Sequence, residues 1–532
     1  MFGEGDGGDR RAGIRKWEHL GSYEYRKNTR FISTGGVFES KYGKIAVPWM
    51  ETLEGSARDV LADERVFLSQ SKSTCMGVVM LEEEILLELQ KINKRLKKIE
   101  ARTKHIEEQR VTPWQKFKKM LRKWAKKKTL FGKLLNKLIY LYRISWRYLY
   151  CLFAKRKPIQ NNKIVFISHR GKQYSCNPMY ICEYLLENYP GKFEIIWAFD
   201  KPKRFSYLKE KGITVVKKEG KAHLWHLMTA KIIVTNVDFY IYLPKVKGQI
   251  ALDTWHGGGS YKTCGFANEQ NLKKWRSRVR FKILYSKVNL YLSSSVAFTE
   301  QTIRRSRLFS GEVLEIGMPR NDILINQNRP DILNKVREYF GINEGIKILL
   351  YAPTYRSEEE LAEMPSLDFE RLKKTLSRRF GGEWCCLYRQ HHLGKSKADY
   401  PEGVISAMNY PDMQELLYAA DVLISDYSSC IWDFSLQYKP VFLYCPDLWK
   451  YQIVRDFYIP IEQWHFILTH DQDELNEWIV KFDEEEYRTG ILLHHQELGS
   501  VESGRATEKV CKRICKECFP DMEEVKDGAM LK

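Results

Sequence analysis

Between Glu108 and Glu183 the chain has no acidic residue. Other signatures are missing as well. There is no Walker A P-loop, no GxGxxG after a strand, no HExxH and no GxSxG nucleophile elbow. P-loop kinase, dehydrogenase, zinc protease and lipase chemistry therefore lack their required parts. No secretory signal opens the sequence, and its 12 cysteines are scattered, so reduced thiols in a cytosolic compartment are expected. Cys511, Cys515 and Cys518 cluster near the end, but a second half of a zinc site is absent. No metal or other cofactor is expected. The vicinal pair Cys385-Cys386 lies in an apolar run and is expected to pack in a core.

What is present is length, positive charge and alternation. The 532 residues imply more than one domain, and the net charge of +20 implies an anionic partner. Phosphate-bearing substrate, acidic lipid and nucleic acid all qualify at this level. Met1 to Gly13 is rich in Gly, Asp and Arg, and residues 1–79 show no clear period; a poorly ordered leader is expected, with the functional protein starting near Met80.

Residues 80–111 carry Ile85, Leu89, Ile92, Leu96, Ile99 and Ile106 on alternating four- and three-residue steps, with the seam broken only at Thr103. Ile at one seam position and Leu at the other favours a parallel two-stranded coiled coil, and so a homodimer. A single amphipathic helix docked on its own protein fits equally. Residues 112–160 form the acid-free stretch. Lys116, Lys118, Lys119, Arg122, Lys123, Lys126, Lys127 and Lys128 interleave with Trp114, Phe117, Leu121 and Trp124. Leu134, Leu138, Leu141 and Leu149 follow, with Lys137, Arg143 and Arg147 among them. Charge interrupts this segment too often for it to span a bilayer. A basic helix with large apolar residues on its other side reads as an interfacial membrane helix. Nucleic-acid binding and a plain solvated face are the rivals; the apolar partners favour the membrane.

From Asn161 onward strand-like and helix-like runs alternate, which implies parallel sheets covered on both faces. A first domain is expected over 161–325, a second over 326–520 and a tail over 521–532. Several apolar runs lead into polar loops. Gln249 to Asp253 feeds Thr254-Trp255-His256-Gly257-Gly258-Gly259, Lys347 to Tyr351 feeds Ala352-Pro353-Thr354-Tyr355-Arg356, and Trp384 to Tyr388 feeds Arg389-Gln390-His391-His392. Ala420 to Ser425 feeds Asp426-Tyr427-Ser428-Ser429, where a helix then starts; strand, polar turn and helix start together suit an anion. A helix cap with no ligand is the alternative there, and a core histidine the alternative at His256.

These loops, in this order, resemble the CDP-glycerol glycerophosphotransferase family, the polymerases and primases of bacterial wall teichoic acid. The likeness runs from about Lys163 to about Ile514 and includes the Asn177-Pro178 helix start and Gly317-Met318-Pro319-Arg320-Asn321-Asp322. It implies a GT-B fold, two Rossmann-like domains facing a cleft, with 161–325 the acceptor side and 326–520 the nucleotide-binding side. It implies transfer of glycerol phosphate or a related polyol phosphate from a CDP-linked donor to a lipid-linked or polymer acceptor, with CMP released. By resemblance His256 is the general base and His391 a second catalytic histidine near the donor. Arg356, Ser428 and Ser429 hold the donor pyrophosphate, with Asp426 orienting their loop. Trp255, Gly257, Arg320 and Asp322 shape the cleft. The family usually has Thr-Pro after the His-Gly, where this chain has Gly258-Gly259, and often Pro where this chain has His392. The expected place is the cytoplasmic face of a bacterial membrane, held peripherally, with no nucleic acid. A GT-B glycosyltransferase using a nucleotide sugar and a non-catalytic membrane scaffold are the competing readings.

Overall fold

The computed structural model describes residues 37–40, 43–46, 120, 130–273, 275–354, 367–389 and 402–521. The coiled-coil expectation for 80–111 lies outside them, as do Arg356, His391 and His392. Within the first 79 residues two short strands, β1 (Val37–Ser40) and β2 (Gly43–Ala46), pair antiparallel, where no strand was expected. Residues 1–121 form one compact unit and 122–532 another.

In the second unit two all-parallel sheets carry the fold. The first comprises β3 (Gln160–Ile167), β4 (Glu194–Phe199), β5 (Thr214–Lys217), β6 (Ala230–Thr235), β7 (Ile250–Asp253), β8 (Leu290–Ser293) and β9 (Glu312–Glu315), ordered β5-β4-β3-β6-β7-β8-β9. The second comprises β10 (Lys347–Tyr351), β11 (Trp384–Tyr388), β12 (Val404–Ser406), β13 (Val422–Ser425), β14 (Val441–Tyr444) and β15 (Ile467–Thr469), ordered β12-β11-β10-β13-β14-β15. Central strands read as unbroken apolar runs, Ile164–Ile167 and Val422–Ile424 among them, because helices bury both faces. Strand order reverses at β3 in one sheet and at β10 in the other, and ligands of such sheets bind at the carboxyl ends beside that reversal.

The chain crosses between lobes more often than its sequence implies. The helix Ala506–Cys518, assigned from sequence to the second domain, packs Val510, Cys511, Ile514, Cys515 and Cys518 into the core of the first. Its apolar face needs cover, and the Cys176–Asn188 helix supplies it. The clustered cysteines are thus core residues. Across the junction Lys262 makes an antiparallel bridge with Phe457, and Ser295 with Ser500.

The helix Leu130–Ala154 buries Gly132 in its first turn and Cys151 and Ala154 in its last. Cys151 and Ala154 enter the first lobe's core, and the helix lies against Lys221–Thr229. Phe131, Leu134, Leu138, Leu141, Tyr142 and Leu149 remain exposed, Tyr142 at 71%. Phe131, Leu134, Leu138 and Leu141 recur at three- and four-residue steps, Tyr142 is four beyond Leu138, and Leu149 is two turns beyond Tyr142, so they share one stripe. Among the described residues no helix is long and apolar enough to cross a membrane.

Candidate active site

Neighbouring strands gather the site because β3, β6 and β7 are adjacent in the sheet. Their carboxyl ends deliver Ser168-His169, Asn236 and the Thr254–Gly259 loop to one place. The backbone N–H of His169 donates to Asn236 Oδ1 at 2.8 Å, and the His169 ring lies edge-on to that of His256, 6.0 Å between centroids. His256 Nδ1 lies 2.7 Å from the Asn236 carbonyl oxygen. A carbonyl only accepts, so Nδ1 carries the proton and Nε2 keeps its lone pair in the neutral ring.

The outer edge of His256 is exposed, yet protein crowds the ring. That loss of water lowers its pKa from 6.5 to about 4; the cations Arg320 and Arg307 add to the fall, while the Asn236 bond opposes it. At pH 7 the imidazole is therefore neutral.

The backbone before His256 is strained. Trp255 has φ of +52°, the left-handed region that a bulky residue rarely adopts. Its N–H donates to Asp253 Oδ1 at 2.9 Å, and Asn177 Nδ2 donates to the carbonyls of Thr254 and Trp255 at 3.1 and 3.2 Å. Asn177 Oδ1 in turn accepts from the Arg320 N–H. The Asn177-Pro178 helix start therefore braces the histidine loop.

Gly257 brings the lobes together. A Cβ there would lie 2.8 Å from Ser429 Oγ and 3.1 Å from its Cβ. Thus the residue after the histidine packs against Ser429 of the second lobe. Gly258 lies flat on Trp432, with room for no side chain, which accounts for glycine where the family has a larger residue.

In the second lobe β10 and β13 are neighbours, so their loops meet. Asp426 is buried and accepts from the Thr354 N–H at 2.8 Å and from Thr354 Oγ1 at 2.5 Å. Its carboxylate thus holds the loop leading to Arg356. The Cys430–Ser435 helix is only six residues long, so its dipole is slight, and no side-chain cap forms at Ser429. Ser428 Oγ accepts weakly from the Cys430 N–H at 3.4 Å.

Arg320 and Asp322, expected to shape the cleft, are both buried. Arg320 pairs with Asp433 at 2.8 Å across the lobe junction. Asp322 accepts from the N–H groups of Ala506 and Thr507 at 3.0 and 2.7 Å, capping the returning helix. Both are polar groups that needed partners once buried. The same junction holds Tyr180 against Asp412 at 2.6 Å and Gln414 against Asn321 at 2.9 Å. Glu502 accepts from the Met318 N–H, from Asn321 and from the Trp432 indole; burial raises its pKa from 4.5 to about 7.

Residues 149–516 match the family model described as CDP-Glycerol:Poly(glycerophosphate) glycerophosphotransferase. The chain belongs to that family. It is therefore a transferase enzyme, moving glycerol phosphate from a CDP-linked donor. It is 29% identical over 390 residues to a teichoic acid poly(glycerol phosphate) polymerase of Bacillus spizizenii, covering 71% of this chain and 96% of that one. A Bacillus subtilis polymerase of the same description is also 29% identical, over 69% of this chain and 50% of its own length. Among solved structures, the wall teichoic acid polymerase TagF superposes with a TM-score of 0.63 at 27% identity, over 75% of this chain and 100% of that one. A histidine variant of TagF has been soaked with CDPG. The GT-B-like architecture of this glycerophosphotransferase is shared with TagF.

Some of the site was not read from sequence. Asn236, Asp253, Arg307, Asp433 and Glu502 were missed. Asp253 had a signal, a charge closing an otherwise apolar strand run. Arg307 had none, being far along the chain.

Proposed function

We propose that the chain transfers glycerol phosphate from CDP-glycerol to a hydroxyl of a lipid-linked or polymer acceptor in teichoic acid synthesis. The acceptor oxygen attacks the distal phosphorus of the pyrophosphate, and His256 Nε2 takes its proton. The phosphorus–oxygen bond to the CMP phosphate breaks, and CMP leaves with the electron pair. Catalysis is then positioning and charge stabilisation. Ser428, Ser429, Arg356 and His391 hold the pyrophosphate, and Asp426 keeps their loop in place. The observation that supports this reading is the contact of Gly257, next to the proposed base, with Ser429 on the donor side.

The acceptor is reached at a membrane. The exposed stripe of the Leu130–Ala154 helix, with Lys137 beside it, supports peripheral attachment to an anionic leaflet on its cytoplasmic face. Each basic residue near such a surface adds about 1 kcal/mol. A second helix, Trp275–Tyr285, adds support: Trp275 and Val279 are exposed, with Arg276, Arg280 and Lys282 around them.

The test is His256→Ala in the full chain. CMP release should fall to background while CDP-glycerol binding stays within about threefold, because donor contacts lie in the other lobe. Retained turnover would remove the base role. CDP-glycerol, CDP-ribitol and a UDP-sugar supplied separately discriminate the donor.

A further inference from the structure

The base is only as good as its aim, and the aim depends on a strained residue. Trp255 is held in its left-handed turn from two sides. Asp253 is completely buried; its Oδ1 accepts the Trp255 N–H and its Oδ2 accepts from Arg307 Nη1 at 3.0 Å. The same Nη1 donates to the Tyr291 hydroxyl at 2.8 Å. The guanidinium lies 4.1 Å from the Trp255 ring centroid, with the Tyr285 and Tyr291 rings at 4.9 and 5.2 Å. The indole then contacts the imidazole of His256, 4.3 Å between centroids.

This arrangement is more than a core ion pair needs. Burying both charges is expensive, and a pair of apolar residues of similar volume is often as stable. Here the pair also leaves Arg307 Nη2 buried without a partner. What the charges do, and apolar residues could not, is bind the Trp255 N–H and stack a flat cation on its ring at the same time.

We propose that Asp253 and Arg307 are a positioning pair: they clamp Trp255 in its strained turn and so aim His256 Nε2 at the acceptor hydroxyl, without touching substrate. This rests on His256 being the base. The pair lies in the first lobe, whereas the serines and Asp426 follow a strand of the second. Its loss should therefore be read in turnover rather than in donor affinity.

The experiment measures CMP release and donor KM for Arg307→Lys, Arg307→Met and Asp253→Asn in the full chain, beside His256→Ala. A misplacement near 1 Å is expected to lower kcat about 100-fold, with donor KM unchanged within about twofold. Arg307→Lys keeps the charge but loses the planar stack, and Asp253→Asn keeps an acceptor for the Trp255 N–H; both should fall between. Four groups face the imidazole: Arg307, Arg320, Asp238 and His169. Removing the first cation should move the acidic limb of the pH profile upward in Arg307→Met but not in Arg307→Lys, a split that simple loosening of the core would not produce. Combining Arg307→Met with His256→Ala should cost nothing beyond His256→Ala, since the pair acts through the histidine. Wild-type kcat in Arg307→Met, or a KM rising in step with the loss, overturns the pair's role; if that variant fails to fold, Asp253→Asn and Arg307→Lys decide by the same criteria. Turnover surviving His256→Ala would instead overturn the base reading beneath it.

Discussion

Gly258→Ala places one methyl group between the lobes, and the structure sets its effect. The new Cβ would overlap the Trp432 indole, 2.8 Å from Cγ and closer still to Cδ1 and Nε1. Trp432 cannot retreat freely: it is fully buried, and its indole N–H donates to Glu502 at 3.2 Å. Contact at ordinary van der Waals distance needs a shift of about 1 Å, and overpacking of this kind costs about 1–3 kcal/mol. The shift has a second consequence, because Gly257 rests on Ser429 one residue away. Separating these two should lower kcat about 10- to 100-fold. Thermal unfolding and CMP release, measured on one preparation, report the two effects. Trp432→Leu in the same chain should relieve part of the damage, so the double variant should lose less than the sum of the singles. A Gly258→Ala protein with unchanged Tm and unchanged kcat would refute the close packing of these loops.

Other outcomes rest on the same geometry. Arg320→Met leaves Asp433 buried without its cation and should destabilise the protein by about 3–5 kcal/mol, read by chemical denaturation; Arg320→Met with Asp433→Leu should recover much of it. The kcat/KM profile should keep its plateau to lower pH than an ordinary histidine allows, because the proton-accepting form of His256 persists until pH falls through its lowered pKa; a limb at or above 6.5 would contradict that. Glu502 binds its proton more tightly folded than unfolded, so its contribution to stability falls as pH rises from 4.5 to about 7, by no more than about 3 kcal/mol; Glu502→Gln should flatten that slope in pH-dependent unfolding. Replacing Leu138 and Leu141 by Glu should reduce sedimentation with anionic vesicles and leave Tm unchanged, since both side chains are exposed. Deleting the whole helix would be a poorer test, because Cys151 and Ala154 belong to the core.

The amino-acid sequence by itself determined the layered architecture. Apolar runs such as Ile164–Ile167 and Leu349–Tyr351 have the length and composition of strands covered on both faces, and polar loops come after them at the ends where such sheets bind ligands. The loop carrying His256 and the turn carrying Ser428 and Ser429 were legible for that reason. Short edge elements such as Val404–Ser406 and Ile467–Thr469 were not, since three residues hold too little pattern.

Only the tertiary structure decided which charges are buried and what they pair with. Arg320 and Asp322 sit in a motif that reads as a single exposed turn. Their partners, Asp433 and the start of the Ala506–Cys518 helix, lie more than a hundred residues away. Arg307 and Asp253 are 54 residues apart, and the glycine that meets Ser429 lies in the other lobe. A local pattern records the face an element buries, because neighbours in the chain set its period. It does not record which distant group arrives to pair a buried charge, because that is fixed only when the two lobes pack.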